Sequence, residues 1–139
     1  MDILLICADD GIAATLPSTG GRGATVLSAP AACQAAQRLF PDRRIEVKPL
    51  YGEPRTRFSL LAWMLKPDPD GESAEEVKRR VVDASIRLTQ LSKSHGEGSL
   101  VGGPRLLRLI AFKLASIGWR GPIVRGFKPG EARRFSFGS

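Results

Sequence analysis

Six consecutive apolar residues, Ile3-Leu4-Leu5-Ile6-Cys7-Ala8, stand near the start of the chain and stop at Asp9-Asp10-Gly11. A run without polar alternation predicts a strand covered on both faces, as in the middle of a parallel sheet. Residues 12–23 are rich in Gly, Ser and Thr and read as a loop; residues 24–28 read as a second short strand. Pro30 suits the first turn of a helix predicted over residues 31–40, where its missing N–H costs nothing. Residues 44–50 alternate apolar and polar, which predicts a third strand exposed on one side. Residues 57–65, with Phe58, Leu61, Trp63 and Met64, form a short amphipathic segment closed by a Pro/Asp-rich loop at 66–71.

The clearest helix follows. Ser73 and Glu76 make a capping box. Val77, Val81, Ala84, Leu88 and Leu91 then recur at spacings of four and three, one buried stripe that Gly96 ends. Ser99-Leu100-Val101 reads as a fourth strand leading into Gly102-Gly103-Pro104. Residues 105–117 are apolar around most of a helical circumference and predict a well-buried helix. Residues 122–127 and 132–137, on either side of Lys128-Pro129-Gly130-Glu131, predict a terminal hairpin. Strands alternating with helices predict an α/β fold: three layers, α/β/α, around a mainly parallel sheet of five to six strands, as one domain over residues 1–139. Ligands of such sheets bind beyond the carboxyl ends of the strands, here near residues 7–11, 28–30, 50–53 and 102–105.

Charge sharpens this picture. The net charge is +7, yet residues 1–100 carry 13 basic and 13 acidic side chains, so the whole excess lies in residues 101–139. There eight cations (Arg105, Arg108, Lys113, Arg120, Arg125, Lys128, Arg133, Arg134) face Glu131 alone. Such asymmetry suits an anionic partner, either a phosphorylated small molecule or an acidic protein surface. Nucleic acid is the weaker reading, because the aromatic residues do not interleave with the cations as a stacking platform would. The opening apolar run is too short to span a bilayer and lacks the basic flank of a signal peptide, so a cytoplasmic protein without a membrane segment is expected. Two cysteines make no disulfide framework. Cys7, Cys33 and His95 follow no recognised zinc spacing, and no metal or cofactor is expected.

The same segments carry a further pattern: the strand ending Ser28-Ala29-Pro30, the segment Leu50-Tyr51-Gly52-Glu53, and Gly71-Glu72-Ser73 ahead of a helix with Val77 and Arg80. Gly96-Glu97-Gly98-Ser99-Leu100-Val101-Gly102-Gly103 with Leu106-Leu107-Arg108, and the stretch from Gly121-Pro122 to Arg134-Phe135, complete it. In this order they resemble the histidine phosphatase (phosphoglycerate mutase-like) superfamily over most of the chain, as a shortened domain. The resemblance implies a phosphoglycerate mutase-like fold. It also implies covalent chemistry, in which a histidine after the first strand attacks a phosphoryl group, two arginines and a second histidine hold its oxygens, and a carboxylic acid protonates the leaving group.

The functional positions depart from that pattern. The family's Arg-His-Gly falls on Cys7-Ala8-Asp9, so the nucleophilic histidine is replaced by Ala8. The helix arginine falls on Cys33 and the second histidine on Gly103. Glu53 remains as the candidate acid, with Glu97 behind it. Asp9 and Asp10 place negative charge where a phosphate would sit. His95 copies part of the motif but precedes the strand and reads as a helix-end residue.

The expectation is a pseudoenzyme binding an anionic ligand or a protein partner, with Cys7, Asp9, Ser28, Cys33, Glu53, Gly103, Arg105 and Arg108 around the ligand. Arg105 and Arg108 stand near a helix start, where backbone N–H groups and the dipole favour anions. The alternative is an enzyme with an altered site using Glu53 or the thiols, which the mapping would bring close together. Residues 12–23 are also too short for the helix the family carries between its first two strands. The sheet face it would cover then falls to the 57–65 segment or to a second protomer, so a homodimer is expected.

Overall fold

The computed structural model describes residues 2–8, 25–53, 74–123, 126–128 and 130–137. The loop expected at 12–23, the segment at 57–65, Ser73 of the capping box, and Asp9 and Asp10 lie outside them. In chain order the elements are β1 Asp2–Cys7, β2 Val26–Ser28, a 3-10 turn Pro30–Ala32 leading into α1 Cys33–Leu39, and β3 Ile45–Val47. A second 3-10 turn, Pro49–Tyr51, then α2 Ala74–His95, β4 Glu97–Gly102, α3 Pro104–Ser116 and β5 Ala132–Ser136 follow. The third strand is shorter than the alternation predicts because Pro49 cannot donate to a ladder and opens the 3-10 turn instead.

The described strands form one sheet in the order β3-β2-β4-β1-β5. β1 and β2 both run parallel to β4, and β3 parallel to β2, while β5 runs antiparallel to β1. The sheet is therefore mixed, not the mainly parallel one expected. β5 reverses because the chain turns at the carboxyl end of β1. There Gly130, at φ +79°, donates to the Cys7 carbonyl at 3.0 Å, and Cys7 N–H donates to Glu131 at 2.8 Å. The hairpin expected about this turn is not formed among the described residues. β5 instead pairs with β1 from Asp2↔Ser136 to Ile6↔Ala132, which buries Phe135, and its outer side meets Arg120 in a single bridge to Ser136.

Helices pack on both faces. On one, Ile3, Leu5, Cys7, Leu27 and Leu100 meet the buried stripe of α2 (Val77, Val81, Ala84, Leu88, Leu91) and the inner face of α3. On the other, Leu4, Ile6, Val26 and Val101 meet Ala32, Ala36 and Phe40 around α1. The periodicity of α2 and its stop at Gly96, φ +84°, are both as the pattern requires. α3 is less enclosed than expected: Leu106, Leu107, Ile110, Ala111 and Leu114 are buried, but Arg105, Arg108 and Phe112 face outward. Among the described residues no helix is long and apolar enough to cross a membrane.

The amino ends of β1 and β4 carry a polar cluster. Asp2 pairs in register with Glu97 and accepts hydrogen bonds from Arg134 at 2.8 Å and Ser136 at 2.9 Å. Burial would raise the Asp2 carboxyl, but these two donors hold it below its usual value. Glu97 is 5% exposed, its Oε1 has no hydrogen-bond partner among the described residues, and Arg134 stays 4.0 Å from its Oε2. Burial therefore raises Glu97 above the ordinary carboxylate value, against the partial pull of Arg134 and Arg43. A carboxyl whose folded value is raised stabilises the fold below its ordinary pKa and loses that contribution as pH rises through the folded value. Glu97→Gln is thus expected to raise the melting temperature at neutral pH by a few degrees, roughly 3–4 °C per kcal/mol gained. The gain should vanish below about pH 4, where wild type is itself neutral; thermal scans across pH check this.

Candidate functional site

The carboxyl ends of β1, β2 and β4 are tied together by backbone bonds. Ala8 N–H donates to Gly102 and Ala29 N–H to Val101, both at 2.9 Å. Beyond them stands the N-terminus of α3, which begins at Pro104, has Gly103 as its N-cap with no side-chain cap of its own, and carries no acidic residue in its first turn. Helix amides left over at such an end need an acceptor, and the dipole there favours negative charge. Glu53 supplies both from 52 residues away: its Oε2 accepts from Arg105 N–H at 3.2 Å and its Oε1 from Leu106 N–H at 2.9 Å.

Gly103 makes this possible. A Cβ built there would lie 2.4 Å from both Cγ and Cδ of Glu53, so the carboxylate fills the space that any side chain at 103 would need. The position on which the resemblance places a second histidine is thus taken by the residue it names as the acid.

Glu53 is delivered by the Pro49–Tyr51 turn, and that turn is gripped from α2. Arg80 donates through Nε to the Leu50 carbonyl at 3.1 Å, and through Nη2 to the carbonyls of Gly52 and, at 3.4 Å, Pro49. Tyr51 anchors the other side. Its ring is buried and its hydroxyl donates to Glu46 at 2.7 Å, while Arg87 pairs with the second Glu46 oxygen at 3.2 Å. Burial and the neighbouring Glu46 push the Tyr51 hydroxyl far up. Burial would also raise Glu46, but hydrogen bonds from Tyr51 and Arg87 hold it below its usual value.

Of the residues expected around a ligand, the structure brings Glu53, Gly103 and Arg105 together. Ser28 lies at the right end of β2 but is buried and turns its hydroxyl onto the Ala29 carbonyl at 2.9 Å, so it is not aimed at a ligand. Cys7 is buried among the side chains facing α2 and α3, whereas Cys33 opens α1, which lies on the opposite face. Neither forms a disulfide, and with the two on opposite faces the expected thiol pair is not assembled. Arg108 lies one turn into α3 and sends its guanidinium over Phe112, 5.5 Å from the ring centre, on the outer face of the helix. Glu97 begins β4 and Gly103 follows its end, which puts Glu97 roughly 17 Å of strand away from the site and removes it as an acid there. His95 is exposed in the last turn of α2 at that same far end, apart from Cys7. Asp9 lies outside the described residues.

Two arginines that matter were not singled out as site residues. Arg80 entered only as part of a motif. Arg133 was counted with the basic excess but is 4% exposed and spends its charge inside, with Glu131 at 2.6 Å.

No family model matches this chain, and no curated protein matches it. Among solved structures it is similar to the product of the open reading frame Rv3214 from Mycobacterium tuberculosis, with a TM-score of 0.62 at 15% sequence identity, covering 99% of this chain and 91% of that one. At that identity the likeness speaks for the fold alone, an α/β architecture shared over nearly the whole chain.

Proposed function

We propose that this chain is a non-catalytic, histidine-phosphatase-like domain that binds a phosphorylated small molecule at the N-terminus of α3, where the Glu53 carboxylate occupies the anion's place. The observation that carries this reading is the Glu53 carboxylate on the amides of Arg105 and Leu106, above a glycine. A phosphate oxygen would use the same N–H groups and the same dipole, and Arg105 lies on the same first turn of the helix. Ala8, at the end of β1, offers no nucleophilic atom, which speaks against the phosphoryl transfer of the family it resembles.

Phenyl phosphate tests this in a calorimetric titration and a thermal shift assay. Wild type should bind it without releasing phosphate, and Glu53→Gln should bind more tightly because the internal competitor has lost its charge. That variant should also be less stable when unliganded, by about 1 kcal/mol, the usual worth of a charged helix cap. Arg105→Ala should weaken binding. Absence of binding in both wild type and Glu53→Gln would refute the proposal. Turnover that Glu53→Gln abolishes would instead make Glu53 the acid of a working enzyme.

A further inference from the structure

We propose that the outer face of α3 is a docking surface for an acidic segment of another protein carrying an apolar anchor. No Asp or Glu occurs anywhere between Glu97 and Glu131, while Arg105, Arg108, Lys113, Arg120, Arg125 and Lys128 fall within that stretch. On the helix, Arg105, Arg108 and Phe112 follow one another at spacings of three and four, so they share one face. That face lies away from the core, since the buried positions are Leu106, Leu107, Ile110, Ala111 and Leu114.

Apolar surface is exposed on this face and again at the end of the helix. Phe112 is 44% exposed and Ile117, just past the helix end, is 46% exposed. Gly118 then turns at φ +103°, which sends Trp119 into the core and leaves room for Phe137. A Cβ on Gly118 would lie 2.9 Å from the Phe137 ring, which stacks on Trp119 at 5.3 Å between centres and remains 41% exposed. Arg120, exposed, follows two residues on. The outer face of α3, a helix about 20 Å long, thus carries Arg105, Arg108 and the exposed Phe112, while Ile117, Phe137 and Arg120 are exposed at or beyond its carboxyl end.

Charge selects the occupant. A second copy of this chain placed face to face would oppose like charges and be repelled. A nucleic acid would need several aromatic rings interleaved with the cations for stacking, and the outward-facing side of α3 carries one, Phe112. An acidic amphipathic segment meets both demands, its carboxylates on Arg108 and its apolar side chains on Phe112. This surface does not depend on Glu53, so it stands whether or not phenyl phosphate binds.

The test uses a fluorescent, roughly 16-residue helical peptide with Leu and Phe at helical spacing and Glu elsewhere, read by anisotropy. Its comparators are a copy with Lys for Glu, a copy with Ser for the apolar residues, and a single-stranded oligonucleotide. The acidic amphipathic peptide should bind best and weaken with salt. Arg108→Glu should cost at least about tenfold in affinity and Phe112→Ser several-fold, with unchanged circular dichroism. No binding, equal binding of the Ser copy, tighter binding of the oligonucleotide, or indifference to both substitutions would each overturn the proposal.

Discussion

Replacing Gly98 with alanine is expected to lower the melting temperature by roughly 10 °C, from a loss of about 3 kcal/mol. Gly98 is the second residue of β4 and pairs with Ile3 in the middle of the sheet. An alanine Cβ there would lie 2.7 Å from the Leu88 carbonyl oxygen and 3.4 Å from Leu91 Cβ. The first neighbour is backbone, inside α2, and cannot swing aside as a side-chain end could. Relief requires α2 to lift from β4, loosening Ala84, Leu88 and Leu91 from Leu100 and Ile3 at the same time. Gly126 is the control, because among the described residues a Cβ there meets nothing within 4 Å, and its alanine variant should change stability by less than about 0.5 kcal/mol. Thermal melts followed by circular dichroism check both. A Gly98→Ala loss no larger than the control's would mean that α2 does not press on the strand.

A loss of similar size is expected from Arg133→Ala, for a reason that is electrostatic more than steric. The Arg133 side chain is 3% exposed. Its Nε donates to Glu131 at 2.6 Å, Nη2 to the Gly126 carbonyl at 2.8 Å, and Nη1 to the Pro122 carbonyl at 3.3 Å. The guanidinium also sits 4.1 Å from the centre of the Phe127 ring. One side chain thus fastens three points of the segment between α3 and β5, where the expected hairpin ladder is not formed among the described residues. Truncation strips Glu131 of that partner and leaves two inward-facing carbonyls to find water, a change that typically costs roughly 3–5 kcal/mol. Lysine keeps the charge but not the planar fork, so Arg133→Lys should recover less than half of the loss. Urea unfolding of the three proteins measures it, and equal stability of the lysine form and wild type would show that charge alone suffices.

What could be read in advance follows periodicity. The apolar run of β1, the stripe of α2, the Gly96 stop and the helix read at residues 105–117 are local signals, and the structure has each of them, the last beginning one residue earlier at Pro104. The direction of β5 was not legible, because residues 132–136 alternate equally well against either neighbour and only the turn at Gly130 decides between them. The partner of α3's first turn was hidden for a related reason. A helix start without an acidic residue looks open to an anion, and nothing nearby in sequence says that Glu53 caps it. Ser28, Cys7 and Cys33 were placed correctly along their strands and helix, but which way each side chain points depends on strand register and on what covers each face. Burial of Arg133 likewise contradicts the solvated role that composition alone suggests for an arginine.

The position of β1 has a consequence for how the protein is made. Every strand that pairs with β1 comes from residues 97–136, and the Asp2–Ser136 side-chain bond closes a separation of 134 residues. During synthesis the apolar run Ile3–Cys7 therefore has no strand to pair with until most of the chain has left the ribosome, although Leu4 and Ile6 can meet Val26, Ala32 and Ala36 sooner. Such long-range closure slows folding and leaves a sticky segment waiting. The yield of soluble protein should accordingly depend on translation speed and chaperone supply more than the stability of the finished fold would suggest.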